Sequence, residues 1–265
     1  FRFELSSIMK IHHLRNATFI IESNSTFLLI DPMLSKKGEL PPLALLRHKP
    51  HRNPTVALPD NAAELLAQVT HCLITHCQRG HFDHLDGRGK EFLRKQRIPV
   101  VCHIQDKAYL EKRRIMIEAS LEFWQPTPVL GGQLTAIPAQ HGQGWIHNFM
   151  ANGMGTFIQL PDEPSIYISG DTVYNRDVEK ALVELKPDIA VVAAGNASLD
   201  IGQPILMYQE EIIRFMKTAP NWVLANHLEA LNHCSMSRLQ VAGMVQREKL
   251  SDKVFIPVDG ETLSL

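Results

Sequence analysis

Short runs of apolar and β-branched residues, broken by turn-forming residues, open this chain and are typical of strands. Residues 8–13, 17–22 and 26–31 form three such runs, and Ser23-Asn24-Ser25 predicts a tight hairpin between the last two. The same pattern predicts further strands over residues 71–75, 98–102, 133–139, 155–160, 165–169, 189–193, 222–225 and 254–256. Stretches between them predict helices over residues 61–69, 88–96, 104–113, 176–185, 208–218 and 236–248. Strands interleaved with helices in this way indicate an α/β sandwich whose helices lie outside two sheets.

A long segment without clear periodicity, residues 35–59, separates the third predicted strand from the first predicted helix, and it carries five prolines. Irregular loops of this length are uncommon in a compact domain unless they serve a function. Two interpretations stay open. The segment is a lid or rim over a site, or it is an insertion without a function of its own.

Composition narrows the class of protein and of partner. The chain has 265 residues, with 27 basic and 28 acidic side chains and a formal charge of -1. This balance gives no electrostatic reason to expect a nucleic acid or an anionic membrane as partner. The longest apolar runs, such as Ile189–Ala194, are much shorter than the ~20 residues of a membrane-spanning helix.

The cysteines and the amino-terminal stretch bear on the compartment. The stretch has no basic segment followed by an apolar one, so we predict no secretory signal. The cysteines form no C-x-x-C pair, and we expect them to be buried free thiols in a reducing cytoplasm. They are Cys72, Cys77, Cys102 and Cys234.

Histidines and aspartates are concentrated after one predicted strand, in Thr75-His76-Cys77-Gln78-Arg79-Gly80-His81-Phe82-Asp83-His84-Leu85-Asp86. Burying unpaired imidazoles and carboxylates is costly, so a packed core gains nothing from this cluster. A divalent metal ion removes the cost, because imidazole and carboxylate are good ligands for zinc, manganese and iron. The segment therefore predicts a metal site. Asp86 is a candidate helix cap or outer support for the site.

Further polar residues follow apolar strands in the same manner. They are His141, Asp171, His227 and, six residues later, His233. Side chains at the same end of neighbouring strands converge in space in open α/β sheets. We therefore expect these residues to join the first cluster.

The ordered set of H-x-D-H at residues 81–84, a lone His141, Gly-Asp-Thr at residues 170–172 and a late His227 resembles the metallo-β-lactamase-fold hydrolase superfamily. The nearest branch by this resemblance is that of L-ascorbate-6-phosphate lactonase-like metal-dependent hydrolases. Leu14–Pro32 is similar to the opening of that family, and Ile256–Glu261 to its closing strand. The resemblance implies a four-layer αββα sandwich, with two mixed sheets and helices outside. It also implies a single domain over residues 1–265 with two similar halves, about 1–155 and 156–265.

The resemblance further implies two divalent ions, zinc or manganese first and iron as a further candidate. One ion would be held by the two histidines of an H-x-H element and by His141. The other would be held by Asp83, His84 and His227, with Asp171 bridging both. His81 matches the second histidine of the H-x-H element.

The first histidine of that element is where this chain departs from the pattern. The register places Arg79 there, and arginine does not ligate metals because it stays protonated. We interpret Cys77–Gly80 as a bulge, with Gly80 letting the backbone curl so that His76 reaches the first ion. Three alternatives stay open: a depleted site with one ion, Arg79 as a substrate clamp, and Cys77 as a substitute ligand.

Hydrolysis by a metal-bound hydroxide is the reaction that this chemistry predicts, because a metal lowers the pKa of bound water to roughly 7. The net positive charge of two ions with two aspartates favours a small anionic substrate with a lactone, ester or phosphoester bond. Asp83 would orient the nucleophile or carry its proton. The other candidates are His233 as a proton donor or substrate contact, and His13 and His147 as substrate contacts.

Other functions of the same fold stay as alternatives. They are a phosphodiesterase or nuclease, a metal-dependent redox enzyme and a non-catalytic binding module. The absence of a basic stripe speaks against a nuclease. Self-association into a homo-oligomer stays open as well.

Overall fold

Two β-sheets packed face to face form the centre of the molecule. The computed structural model describes residues 9–78, 80–150 and 153–264. Within them the strands, numbered along the chain, are β1 (Lys10–Arg15), β2 (Thr18–Ser23), β3 (Thr26–Ile30), β4 (His71–Ile74), β5 (Val100–His103), β6 (Ile117–Leu121), β7 (Pro126–Val129), β8 (Gly132–Ala139), β9 (Gly153–Gln159), β10 (Ile166–Ile168), β11 (Ile189–Ala193), β12 (Trp222–Asn226), β13 (Val254–Phe255) and β14 (Thr262–Ser264).

Both sheets are mixed. The first has the spatial order β14-β1-β2-β3-β4-β5-β6, and the second has the order β13-β12-β11-β10-β9-β8-β7. Strands β3 to β6 are parallel neighbours in the first sheet, as are β10 to β13 in the second. Strands β7 to β10 are antiparallel neighbours, so β8 runs in the same direction as β10 to β13. The carboxyl ends of β8, β10 and β12 therefore meet at one edge of the second sheet.

Helices cover the outer faces of the sheets. In the described part of the chain the α-helices are α1 (Ala62–Leu66), α2 (Gly87–Lys95), α3 (Ile104–Glu111), α4 (Arg176–Lys180), α5 (Gln209–Thr218) and α6 (Arg238–Arg247). A π-helical turn, Ala181–Leu185, continues α4, and a 3-10 helix spans Gly144–Phe149. Side-chain caps start several of them: Asp86 accepts a hydrogen bond from the Gly89 amide, and Ser237 forms a capping box with Gln240.

Three apolar clusters separate these layers. The middle cluster lies between the sheets and joins side chains such as Ile21 and Ile30 of the first sheet to Ile158 and Val191 of the second. A second cluster packs α1, α2 and α3 on the outer face of the first sheet. A third packs α4, α5 and α6 on the outer face of the second. This arrangement confirms the predicted four-layer αββα sandwich.

The predicted elements agree with the structure to within about two or three residues at most ends, with several differences. The sequence pattern does not predict strands β6, β7 and β14; β7 has the sequence Pro-Thr-Pro-Val, which is tolerated because it lies at a sheet edge. The closing segment Ile256–Glu261 is not itself a strand, since β13 ends before it and β14 begins after it. Asn61, the first residue of the predicted helix over 61–69 and by residue type a candidate cap for it, makes no side-chain cap; its amide group donates to the Gly260 carbonyl at 2.9 Å instead.

The segment 35–59 is irregular, as predicted, and is fastened at both ends. The buried Arg15 donates hydrogen bonds to the carbonyls of Met33, Ser35 and Val56. Asp86, besides capping α2, accepts a hydrogen bond from the Ser35 amide at 2.6 Å. Among the described helices, none has the length and hydrophobicity needed to cross a membrane.

Candidate metal centre

Four of the predicted ligands lie where strands end, and the other three, His81, Asp83 and His84, lie between β4 and α2. His76 follows β4 after Thr75, His141 follows β8, Asp171 follows β10, and His227 follows β12. Gly170 lets the chain turn before Asp171: its φ is +62°, and a Cβ there would lie 2.5 Å from the Met154 carbonyl oxygen. Strand direction and this turn bring residues from distant parts of the chain to one place.

Two buried groups of potential ligand atoms result. In each group, one atom per residue lies within 4.8 Å of the others. The first group is His76, His81 and His141, and the second is Asp83, His84, Asp171 and His227. These are the residues that the sequence predicts as ligands, distributed as the resemblance implies.

Asp171 is central to both groups. Its Oδ2 lies 3.1 Å from His84 Nε2 and 3.6 Å from His227 Nε2 in the second group. The same oxygen lies 3.6 Å from His141 Nε2 and 4.0 Å from His76 Nε2 in the first. A carboxylate at this position can face both groups at once, as a bridging ligand must.

The residues present fit metal ions. Several buried polar atoms of the two groups have no hydrogen-bond partner within the described structure: His76 Nε2, Asp83 Oδ1, Asp171 Oδ1 and His227 Nε2. Such atoms are costly to bury unless something binds them. Imidazole nitrogen and carboxylate oxygen are the donor types that zinc and manganese take.

The opposite nitrogen of each imidazole in the two groups has a partner. Metal-binding histidines are oriented in this way, with Nδ1 held and Nε2 left for the ion. The partners of Nδ1 are the Thr75 hydroxyl for His76, the Gln78 carbonyl for His81, Asp31 for His84, the Ile205 carbonyl for His141 and the Cys234 sulfur for His227.

Asp31 is the most connected of these partners, and sequence reasoning missed it. Its Oδ2 accepts hydrogen bonds from His84 Nδ1 at 2.8 Å and from the Thr75 hydroxyl at 2.7 Å. Its Oδ1 accepts from the Thr75 amide at 2.8 Å. The signal is nevertheless in the sequence, because Asp31, like the candidate ligands, stands at the end of a buried apolar strand.

Burial and neighbouring charges set the protonation of the site. Burial lowers the pKa of His141 to about 3 and holds the pKa of His76 well below its usual value, so both imidazoles are neutral at pH 7. Burial acts in the same direction on His84, but Asp171, Asp31 and Asp83 outweigh it and raise its pKa well above the usual value. For Asp171, burial is outweighed by the imidazoles of His84 and His227, which keep its pKa well below the usual value.

The hairpin turn between β1 and β2 is hydrogen-bonded to the second group of ligand atoms, at His227 and Asp83. The Asn16 carbonyl accepts a hydrogen bond from the His227 amide at 3.1 Å, and its side-chain amide donates to the Asp83 carbonyl at 3.3 Å. His227 itself has a φ of +61°, which is uncommon for a residue other than glycine. Strained backbone of this kind is concentrated at functional sites.

A cavity of about 410 Å³ opens onto the two groups. His81, Asp83, His141 and His233 form its polar floor. Its remaining described lining is almost entirely apolar, and it consists of Leu43, Gly80, Trp145, Ile146, Phe149, Met150, Leu199, Ile201 and Ile205. In this described lining there is no lysine or arginine.

Three loop segments build the apolar walls. They are the segment 35–59, the 3-10 helix Gly144–Phe149 and residues 197–206. Asp200 joins the first to the third, because its carboxylate accepts hydrogen bonds from the amides of Leu45, Leu46 and Arg47. The segment 35–59 therefore forms part of the rim of the cavity, which agrees with the first of its two interpretations.

The other predicted site residues are placed as follows. His233 is buried, lines the cavity, and has its ring centroid 6.4 Å from that of His227. His13 and His147 are not among the described residues that line the cavity. His13 faces the closing segment and α6, 3.5 Å from Asp259 Oδ1 and 3.5 Å from Arg238 Nη2, and His147 is exposed on the 3-10 helix. Arg79 lies outside the described residues.

Comparison with known proteins identifies the family. The chain matches the model described as the beta-lactamase superfamily domain over residues 26–225. It is 31% identical to the UPF0173 protein YddR of Bacillus subtilis, over 96% of this chain and 99% of that protein.

Solved structures agree with this relationship. Isothiocyanate hydrolase from Delia radicum gut bacteria is 30% identical, with a TM-score of 0.85 over 97% of this chain and 99% of that one. A possible metal-dependent hydrolase from Veillonella parvula is 27% identical, with a TM-score of 0.87 over 98% and 100%. The L-ascorbate-6-phosphate lactonase-like branch is not confirmed. The chain belongs to the beta-lactamase superfamily domain family and is a metal-dependent hydrolase with the metallo-β-lactamase fold.

Proposed function

We propose that this hydrolase acts on small uncharged electrophiles with an apolar arm, and that isothiocyanates are its substrate class. The observation that carries the proposal is the cavity, whose polar floor is the metal centre and whose described walls are apolar. Its volume of about 410 Å³ suits a small molecule. An apolar arm against these walls would leave the reacting carbon over the floor.

The proposal includes two divalent ions, zinc or manganese. His76, His81 and His141 would hold one, and Asp83, His84 and His227 the other, with Asp171 between them. When bound, such ions polarise the electrophile and lower the pKa of coordinated water from 15.7 to about 7, so that hydroxide is available at neutral pH.

One relative supports this substrate class by its own activity. The isothiocyanate hydrolase shares 30% identity with this chain along nearly its whole length. The net reaction would be R–N=C=S + H₂O → R–NH₂ + COS. The water oxygen bonds to the central carbon, the C–N bond breaks, and the nitrogen leaves with both water hydrogens.

Asp83 and His233 are the residues of this chain that we propose as catalytic. Both line the cavity, and each carries a buried polar atom without a hydrogen-bond partner, Asp83 Oδ1 and His233 Nδ1. Asp83 stays ionised, because the neighbouring imidazoles of His84 and His81 outweigh burial and lower its pKa. It would orient the attacking water and accept its proton. Burial lowers the pKa of His233 to about 4, so it is a neutral imidazole that can donate a hydrogen bond to the substrate nitrogen.

The predicted small anionic substrate, with its lactone, ester or phosphoester bond, is the competing proposal. The positive charge of the ions favours it, but an anion that fills the cavity would meet apolar walls without a described basic side chain. A cytoplasmic location and the lack of a nucleic-acid or membrane partner remain part of our proposal. The proposed location rests on the pattern of cysteines, and the expected lack of those partners rests on the near-neutral charge of -1. Self-association stays open.

A substrate panel tests the proposed class. We expect the metal-loaded protein to convert phenethyl isothiocyanate to phenethylamine and carbonyl sulfide with kcat/KM of about 10⁴ M⁻¹s⁻¹ or more, a common value for enzymes on their own substrates. Amine release is measured by mass spectrometry, with chelated protein as the control. Turnover of an anionic lactone, ester or phosphodiester, without turnover of any isothiocyanate, would contradict the proposal.

Trp145 should control preference among isothiocyanates. Its side chain lines the cavity, is 55% exposed and makes an edge contact with Phe149 at 5.9 Å between ring centroids. We expect Trp145→Ala to lower kcat/KM for phenethyl isothiocyanate about tenfold more than for methyl isothiocyanate, which has no arm to reach this wall; that ratio is about 1.4 kcal/mol. Trp222→Ala is the matched control, since Trp222 is 44% exposed at the opposite end of β12 from His227. Equal losses on both substrates would rule out this role for Trp145.

A further inference from the structure

His81 lies between β4 and α2, outside any helix or strand, and its hydrogen bonds lead to Gln78 and Asp106 outside the metal centre. We propose that Gln78 and Asp106 are positioning residues that fix His81 for metal binding. This inference rests on the proposed role of His81 as a ligand. It concerns residues 77–80, where this chain departs from the H-x-H element of the family, so the element does not show how His81 is held.

Gln78 holds His81 through its backbone. The Gln78 carbonyl accepts hydrogen bonds from the His81 amide at 3.2 Å and from His81 Nδ1 at 2.6 Å. The second bond requires the proton on Nδ1, which leaves the lone pair of Nε2 for an ion. The ring then lies with its centroid 4.7 Å from that of His76 and 4.9 Å from that of His141.

Asp106 holds Gln78 through its side chain. Gln78 Nε2 donates to Asp106 Oδ1 at 2.6 Å and to the Gln105 carbonyl at 3.1 Å. Both acceptors belong to the first turn of α3, a helix that is packed into the core by Leu110. Gln78 is thereby fastened to α3, which sets the position of the Gln78 carbonyl.

The chemistry of Asp106 indicates a purpose beyond packing. It is 1% exposed, and its Oδ2 has no hydrogen-bond partner within the described structure. A buried carboxylate with one satisfied oxygen is costly for a fold that needs only a helix start. His103 already caps α3 by accepting from the Gln105 amide. The carboxylate therefore has the insertion, and through it His81, as its main partner.

Metal stoichiometry tests the proposal without reference to turnover. Gln78→Ala and Asp106→Ala should each weaken one of two zinc sites by about 10- to 100-fold and leave the other unchanged, as expected for outer support of a ligand. Asp106→Asn should recover most of that loss, because its amide oxygen still accepts from Gln78 Nε2. Gln68→Ala, at an exposed glutamine whose side chain bonds only locally, is the matched control. Binding is measured by calorimetry with zinc alone and by elemental analysis after dialysis.

The outcomes separate this inference from the proposed metal centre. His81→Ala is measured in parallel and should lose one equivalent. If it does, and Gln78→Ala binds both ions as tightly as the unchanged protein, the positioning role is overturned. If His81→Ala keeps both equivalents, the proposed ligand set fails and this inference fails with it. Should Asp106→Ala not fold, Gln78→Ala decides, because Gln78 is only half-buried.

Discussion

Replacing Asp171 with alanine is expected to remove at least one of the two proposed metal ions and to lower kcat/KM by about a thousandfold or more, which corresponds to about 4 kcal/mol of transition-state stabilisation. The reason is its central position, since Asp171 Oδ2 lies between 3.1 and 4.0 Å from imidazoles of both ligand groups. Without this carboxylate, neither group keeps its full negative charge or its shared ligand. Metal equivalents are measured by elemental analysis, and activity with the isothiocyanate panel.

Asp252→Ala is the control for this experiment, because it removes an exposed aspartate. We expect it to keep both metal equivalents and full activity. Unchanged metal stoichiometry in Asp171→Ala would count against a bridging role. Loss of activity with both ions retained would instead mean that Asp171 is needed for a catalytic step and not for metal binding.

Removal of the metal ions is expected to lower the thermal unfolding midpoint by about 10–20 °C. Each ion that binds only the folded state adds about 2.7 kcal/mol when its free concentration is 100 times the dissociation constant. The two proposed ions would together add about 5.4 kcal/mol, and in a chain of this size each kcal/mol shifts the midpoint by about 2–4 °C. The buried atoms that lack hydrogen-bond partners, such as His76 Nε2 and His227 Nε2, are the structural source of this effect.

Scanning calorimetry of the protein with and without a chelator measures the shift. Re-addition of zinc or manganese should restore the midpoint. The ion that restores it at the lower concentration is the one that the protein binds more tightly. Asp171→Ala should respond to the chelator less than the unchanged protein does. An equal midpoint with and without metal would mean that the two groups do not bind ions in the folded state.

The candidate ligands at strand ends could be proposed from the sequence because each is a polar residue that follows a predicted apolar strand. His141, Asp171 and His227 each follow a buried apolar run, and parallel strands place such residues at one edge. Asp31 obeys the same rule, and its contact with His84 Nδ1 could have been anticipated from it. These positions depend on local pattern and on sheet topology, which the pattern of strands and helices largely determines.

Other features depend on contacts between distant segments, which no local pattern encodes. His13 lies on β1 and is predicted as a substrate contact. Its partners in the structure, Asp259 and Arg238, instead come from the far end of the chain. The side chain of Gln78 is held by Asp106, which is 28 residues farther along the chain. The apolar walls of the cavity come from loops, and their convergence follows from side-chain contacts such as that of Asp200 with the segment 35–59.

The floor and the walls of the cavity come from different parts of the fold, so the two can change independently in evolution. Four of the candidate ligands, His76, His141, Asp171 and His227, lie just past the ends of strands in the two sheets, whereas apolar residues of the cavity wall such as Leu43 and Ile205 lie on loops. Insertions and substitutions in those loops can change which substrates enter the cavity, while the candidate ligands at the strand ends keep their positions. Related chains could therefore share one reaction and differ widely in substrate specificity, because each has different loops around the cavity.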